Sequence, residues 1–271
     1  MNANRPPALS VVVPTKNEEA NVGACLGSFA PFRGEVEVIV VDNSSPDRTR
    51  EIAAAAGAAV FVQGPERCAQ RNRGWREAHG EFVMFVDADM TLPEGTVREI
   101  IETCRAGTAD ALYIPEVRVG GGLRLKARNF ERGFYDGTCI DGLRVVRRAL
   151  LERVGGYDEA LVACEDWDLD RRLLAAGART ATTHGCLFHN EARQNLRALL
   201  RKKAYYSTSV AAYRAKWGDD AVCRRQFGLA YRFFGVFVER GKWRRLIRHP
   251  ILAAVMYAER IAVGATYLIC R

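Results

Sequence analysis

Four runs of apolar, mostly β-branched residues restrict most strongly what this 271-residue chain can become. They are LSVVVP (9–14), VEVIVVD (36–42), AAVFV (58–62) and EFVMFVD (81–87). Helical patterns separate them. Val22, Cys25, Leu26 and Phe29 recur at three- and four-residue intervals after the first run, which Pro14 is expected to stop. After the second, Ser44 and Asp47 are spaced as a capping box and Gly57 as a helix stop. After the third, a helix over 66–79 ends at Gly80. Strands that are apolar throughout, rather than alternating, are buried on both faces. The pattern therefore predicts an α/β architecture, a mostly parallel sheet flanked by helices. Such sheets bind ligands at the carboxyl ends of their strands. Three of these runs end there in polar groups: Pro14-Thr15-Lys16-Asn17-Glu18, Asp42-Asn43-Ser44 and Asp87-Ala88-Asp89.

Further along, a helix over 93–106 stops near Gly107. Residues 117–137 are less regular and arginine-rich, and their glycine triplet, 120–122, reads as a hairpin tip or a loop over an acceptor. Residues 164–177 read as a helix ending at Gly177, and 178–190 as short strand material. From 193 the pattern turns helical and basic, with Leu199, Tyr206, Val210, Tyr213 and Trp217 on one face. The boundary at 191–193 divides a catalytic domain (1–192) from a C-terminal basic helical extension (193–271).

Charge follows the same boundary. Residues 1–192 hold 23 Lys and Arg against 28 Asp and Glu, whereas 193–248 hold 15 against 3. A basic third on an acidic body calls for an anionic partner. Eight scattered cysteines without a C-x-x-C pair, and no signal peptide, argue for reduced thiols in a cytoplasmic protein and against a zinc site.

Asp87 and Asp89, one residue apart past a buried strand, suit a hard divalent cation carrying a diphosphate. A solvated turn is the plain alternative. Asp42 ends a separate strand, where a carboxylate accepts hydrogen bonds from a nucleobase or ribose or caps a helix. Glu18 and Glu19 also fit first-turn helix charges. In EDWDLDRR, Glu165, Asp166, Asp168 and Asp170 crowd one helix start, more than capping requires. One of them suits a general base that deprotonates a hydroxyl. Arg171 and Arg172 are their expected ion-pair partners, and Gly155-Gly156 reads as a turn needing unusual φ.

VVVPTKNEE, VIVVDNSSPDRT, QRNRG, FVDADM, RRALLERVGGYDEAL and CEDWDLDRRLLAAG occur in the order found in the inverting glycosyltransferases of family 2, which this chain resembles from about Leu9 to His189. The resemblance implies the nucleotide-sugar-binding GT-A fold and a nucleotide-diphosphate-sugar donor. It also implies that Pro14, Thr15, Asn17 and Glu18 line the nucleotide pocket beside Asp42, and that Arg71 and Asn72 help hold the donor. Gln70 stands where the family's motif has alanine. The resemblance further places Asp87 and Ala88 on the donor side, with Asp87 a weaker metal contact, and Asp89 as the ligand of Mn²⁺ or Mg²⁺. His189 completes the metal site, with His184 as its competitor, and Asp166 is the catalytic base. A nucleotidyltransferase is the alternative enzyme, but it would show a glycine-rich loop where PTKNEE stands.

The tail from Ile251 to Cys270 has nearly the length of a membrane span, with Glu259-Arg260 in its middle. A helix lying on an anionic membrane surface suits it better, with Trp243 and the basic cluster 244–248 at the headgroups. Packing on the catalytic domain or in a homo-oligomer is the other reading. The expected protein is cytoplasmic and peripheral on the membrane's cytoplasmic face, using a polyprenyl-linked or other membrane acceptor, which the arginine-rich stretch 124–137 is expected to help hold, for cell-surface glycan synthesis. No nucleic-acid partner is expected, although 193–248 carries charge and the aromatics Tyr205, Tyr206, Tyr213 and Trp217.

Overall fold

The computed structural model describes residues 6–190 and 210–269, with side chains to 262. Strands β1 (Leu9–Thr15), β2 (Val36–Asp42), β3 (Ala59–Val62) and β4 (Phe82–Phe85) run parallel, joined by helices α1 (Val22–Gly27), α2 (Thr49–Ala55) and α3 (Arg67–Arg76). Then come β5 (Met90–Thr91), α4 (Glu94–Ala106), β6 (Ala111–Tyr113), β7 (Glu116–Arg118) and α5 (Leu123–Arg132). β8 (Val145–Arg147), α6 (Arg148–Val154), α7 (Glu165–Ala175), β9 (Thr180–Thr182) and β10 (Leu187–His189) complete the body.

The main sheet has seven strands in the order β3-β2-β1-β4-β8-β6-β9, with β8 antiparallel to both neighbours. Its two cores explain the continuous apolar runs. Val11 and Val13 pack with Val22, Leu26 and Ile100 on one face, and Val12 packs with Trp75, Leu151 and Leu173 on the other. Every residue of β1 is buried, as a strand covered on both sides requires. A second sheet, β5-β10-β7, sets His189 beside Met90, immediately after Asp89.

Several expectations need correction. Pro14 does not end β1, which continues to Thr15 and pairs with β2 along its whole length. The carbonyl of Val12 faces Val86 on the β4 side, and Pro14 presents its missing N–H to that same side, where β4 has already ended. Ser44 caps nothing. It sits at φ 49°, and Asp47 instead accepts from the Thr49 backbone N–H at 3.1 Å. The glycine triplet is not a hairpin tip but a short loop. It is the switch from β7 into α5, with Gly120 at φ 144° and Gly122 at φ 89°. That switch lies beside the small sheet rather than after β1, so it does not supply the nucleotidyltransferase loop.

The extension lies against the body where it is described. Helices α8 (Ala221–Phe227), α9 (Trp243–Arg248) and α10 (Pro250–Ile269) follow a helical stretch at 210–217. Phe130, Phe134 and Ile140 form a core with Val236, Phe237 and Met256. Tyr213 is fully buried against Trp167 of α7, and Trp217 donates to Asp168 at 2.8 Å. Those two aromatics are therefore spent on packing. Leu199, Tyr205 and Tyr206 lie outside the described residues.

Candidate active site

The loops after β1 and β2 are bound to each other. Asp42 is fully buried and accepts from Thr15 Oγ1 at 2.8 Å, Ser45 Oγ at 2.6 Å and Ser45 N at 2.7 Å. In this conformation its carboxylate organises the two loops. Asn17, at φ 58°, donates its backbone N–H to Ser45 Oγ, and the Glu18 N–H bonds Thr49 Oγ1, each at 2.8 Å. Burial raises the Glu18 carboxyl above its ordinary range. Gln70 donates to the carbonyls of Thr15 and Val41 at 2.9 and 2.6 Å, tying α3 to both strand ends.

Arg71, 2% exposed, is the centre of the site. Its Nη1 bonds Asp166 Oδ1 at 3.0 Å and Glu165 Oε1 at 3.3 Å, and its Nη2 bonds Asp87 Oδ1 at 3.1 Å. The guanidinium lies 5.1 Å from the centre of the Tyr157 ring. Burial opposes ionisation of Asp87, but Arg71, Arg144 and Arg67 hold its carboxyl well below the usual range. Asn72, expected at the donor, is saturated elsewhere. It donates to Tyr157 O (2.9 Å) and Glu159 (2.8 Å), and accepts from Trp75 Nε1 (3.0 Å) and Tyr157 N (2.8 Å). It pins the Gly155-Gly156 turn, whose φ values are 79° and 72°.

Of the four carboxylates on α7, Asp166 alone faces a cavity. Its side chain is 40% exposed, whereas that of Glu165 is 7%. Asp168 is fully buried against Arg172, at 2.7 Å, and Asp170 is 5% exposed against the Tyr113 hydroxyl, at 2.9 Å. Arg171 pairs instead with Asp220 of the extension. Burial and the charge of Asp166 push the Glu165 carboxyl up. Cys164, which precedes the helix, is held at φ 63°, a strained position for a non-glycine residue.

The metal end lies on the other side of Asp87. Ala88 is buried in the core, and Asp89 Oδ2 lies 3.2 Å from His189 Nε2. His189 Nδ1 meets Glu116 Oε1 at 2.9 Å, and Glu116 Oε2 meets Arg144 at 3.3 Å. Burial disfavours charge on this imidazole, but Asp89 and Glu116 outweigh it and raise its pKa to about 10. His184 is fully exposed, bonded to Glu99, and takes no part. Among the described residues no three His, Cys, Asp or Glu side chains form a ready metal cluster, and Asp87 is turned to Arg71. The donor set nonetheless fits a divalent cation: a carboxylate oxygen and a ring nitrogen converge, and Glu116 orients the imidazole from behind.

Arg144 closes the circuit, because it lines the same cavity of about 240 Å³ as Arg71 and Asp166. Arg118, Arg132 and Gly142 also line it. A Cβ on Gly142 would stand 3.0 Å from Asp166 Cβ, so this glycine keeps space beside the carboxylate. Of these, Arg132 lies in the arginine-rich stretch 124–137 expected to help hold the acceptor, whereas the sequence singled out neither Arg118, Gly142 and Arg144 nor Glu116 and Tyr157. Arginines in an irregular stretch give no periodic signal, and the cavity joins segments distant in sequence.

A profile of glycosyl transferase family 2 matches residues 10–155, more than half of the chain. The succinoglycan biosynthesis protein ExoA of Rhizobium meliloti is 28% identical over 193 residues, covering 62% of this chain and 58% of that protein. Glycosyltransferase AglE of Haloferax volcanii is 32% identical over 244 residues, covering 83% and 79%. The chain spans about half the length of other curated relatives that it matches. Among solved structures, the mannosyltransferase PcManGT of Pyrobaculum calidifontis, in complex with GDP-Man and Mn²⁺, superposes with a TM-score of 0.60 at 20% identity, covering 98% of this chain and 81% of that one. At that identity the likeness is one of fold, the GT-A fold expected from the motifs. With motifs, sheet and profile in agreement over the same residues, the chain belongs to glycosyl transferase family 2.

Proposed function

We propose that this chain transfers a sugar from a nucleoside-diphosphate sugar to an acceptor hydroxyl, with inversion at the anomeric carbon. The observation that carries the reading is the single guanidinium of Arg71, which holds Asp87 on one side and the cavity-facing Asp166 on the other. A donor seated along Asp87 and Asp89 would place its anomeric carbon between the leaving diphosphate and that cavity. Asp166 takes the proton from the incoming hydroxyl, and one displacement inverts the centre. Arg71 holds Asp166 aimed through its 3.0 Å contact, and Phe85 and Tyr157 give the cavity an apolar wall.

Asp89 and His189 would hold Mn²⁺ or Mg²⁺, which when bound offsets the charge of the departing diphosphate. The relatives' donors support a nucleotide-sugar partner, since one neighbour is solved with GDP-Man and another with UDP-GlcNAc. Pro14, Thr15, Asn17 and Glu18 lie at the strand ends where the nucleotide would sit, and the loop that Asp42 anchors would meet the base.

The acceptor is proposed to be lipid-linked and the protein peripheral on the cytoplasmic face of a membrane, serving cell-surface glycan synthesis. Leu229, Phe234, Val238, Trp243, Ile247, Ile251 and Ile261 are each 45–74% exposed on the extension, interspersed with arginines. That composition suits an anionic membrane surface. Among the described residues no helix is long and apolar enough to cross a membrane.

A thermal-shift panel of UDP-, GDP- and dTDP-sugars, with and without Mn²⁺, tests the reading. Asp89→Ala should abolish the metal-dependent part of the shift. Asp166→Asn should bind donor as wild type does while turnover drops by about 10²–10⁴. Wild-type turnover in Asp166→Asn would refute the base assignment.

A further inference from the structure

We propose that Lys216, on the helical stretch 210–217 of the extension, is a positioning residue that aims the base Asp166 from behind. Its ammonium joins two carboxylates, lying 2.6 Å from Asp158 Oδ2 and 2.8 Å from Asp168 Oδ1. Each of those acids backs one wall of the cavity. Asp158 follows Tyr157, which lines it, and Asp168 stands two residues after Asp166 on α7. Helix residues two apart point about 200° from each other, so a grip on Asp168 sets the rotation that turns Asp166 to the cavity.

That grip is held away from water. Asp168 is fully buried, and its Oδ2 takes Nε and Nη2 of Arg172 at 2.8 and 2.7 Å. Its Oδ1 takes Lys216 together with Trp217 Nε1, also at 2.8 Å. Half of the hold on Asp168 therefore comes from α7 itself and half from the extension. The chain between the two walls is irregular: it leaves Gly155 at φ 79°, reaches Cys164 at φ 63°, and enters α7 without a side-chain cap. Asn72 fixes Tyr157 from the α3 side, and Lys216 ties the next residue to α7. Aromatic packing keeps the lysine in place. Trp167 meets Tyr213 and Phe227 edge-on, and the Arg171 guanidinium lies 3.9 Å from the centre of the Trp217 ring. Small shifts matter here, since misplacing a reacting group by about 1 Å costs on the order of a hundredfold in rate. The role rests on the glycosyltransferase reading, because it acts through Asp166.

Donor hydrolysis, with water as the acceptor, follows the chemistry in the full chain. The probes are UDP-glucose, UDP-GlcNAc, GDP-mannose and dTDP-glucose with Mn²⁺; released nucleotide gives turnover and calorimetry gives donor affinity. Lys216→Met should lower turnover about tenfold while donor affinity changes less than about threefold. Lys216→Arg, which keeps a charge between the two acids, should stay within about threefold of wild type. The deciding arm is non-additivity. In an Asp166→Asn background, Lys216→Met should cost nothing further, because the group it aims is gone. Should Lys216→Met melt below the assay temperature, Asp158→Asn, at a side chain 31% exposed that leaves the partners of Asp168 intact, should show the same split. The proposal is overturned if these variants turn over as wild type does or if affinity falls as much as turnover. It is equally overturned if the tenfold loss persists beside Asp166→Asn, which would leave Lys216 a merely structural role. Failure of the glycosyltransferase reading looks different: wild type itself then releases no nucleotide from any of the four donors, and the positioning role falls with it.

Discussion

Asp166 and Asp170 stand one turn apart on α7 and show how environment divides identical side chains. Asp166 opens to the cavity, whereas Asp170 lies beneath the Tyr113 hydroxyl, 2.9 and 3.1 Å from its oxygens. Burial, with the nearby charges of Asp141 and Asp166, raises the Asp170 pKa to about 7. In the unfolded chain it titrates near 4. The folded state therefore binds a proton that the unfolded state has lost between about pH 4 and 7. The associated stability is complete below that window and declines as pH rises through it. Asp170→Asn cannot titrate, so its stability relative to wild type should improve from pH 4.5 to 7.5, by at most about 4 kcal/mol over three units. Denaturant melts of both proteins across that range check this, and parallel curves would remove Asp170 from the account. Sequence alone ranked the four acids of this helix equally by position. Which one faces the cavity depended on Tyr113, Arg71 and Arg172, all on other elements or turns.

Among the elements, α3 shows what a motif can encode before its reason is visible. Gly74 ends the QRNRG stretch, and a Cβ there would lie 2.2 Å from Val12 Cγ1. Glycine lets the helix rest directly on β1, which in turn sets Arg71 and Gln70 at the strand ends. Gly74→Ala should destabilise the fold by about 1–3 kcal/mol through overpacking. Gly27→Ala, in α1 with nothing within 4 Å, should change stability by less than about 1 kcal/mol. Chemical denaturation of the pair reads the difference. The parallel strands and α4 were legible because their apolar periodicity is local. α5 was not, since it buries only Ala127 and Phe130 and gains its covering from α10, more than a hundred residues on. The positive φ values of Asn17, Ser44 and Cys164 were equally invisible, because none is glycine.

For the whole molecule, the extension is the part whose meaning changed most. Glu259 and Arg260, read as costly charges in an apolar tail, face α5. Glu259 pairs with Arg124 at 2.8 Å, while Arg260 bonds the Tyr135 hydroxyl at 2.8 Å and pairs with Glu131. The tail thus braces the helix that carries Arg132 into the cavity, and a truncation would remove that brace together with any membrane contact. Point changes on the exposed face are the cleaner test. Ile247 and Ile251 are both 68% exposed, so Ile247→Glu with Ile251→Glu should leave the thermal midpoint unchanged while abolishing flotation with anionic vesicles. Flotation equal to wild type would sink the membrane-surface proposal.

What the sequence determined by itself was whatever is written locally: strands buried on both faces, helix stops at glycine, and acidic residues at the strand ends. Motif order added the family and the expected roles of Asp89, Asp166 and His189. The tertiary structure decided which of those groups meet. It joined Asp89 to His189 across a hundred residues, turned Asp87 to Arg71, spent Asn72 on a turn, and gathered three arginines from separate elements into one cavity. The physical reason is that a side chain's charge state and availability depend on the neighbours that desolvate and pair it, and here those neighbours are far apart along the chain.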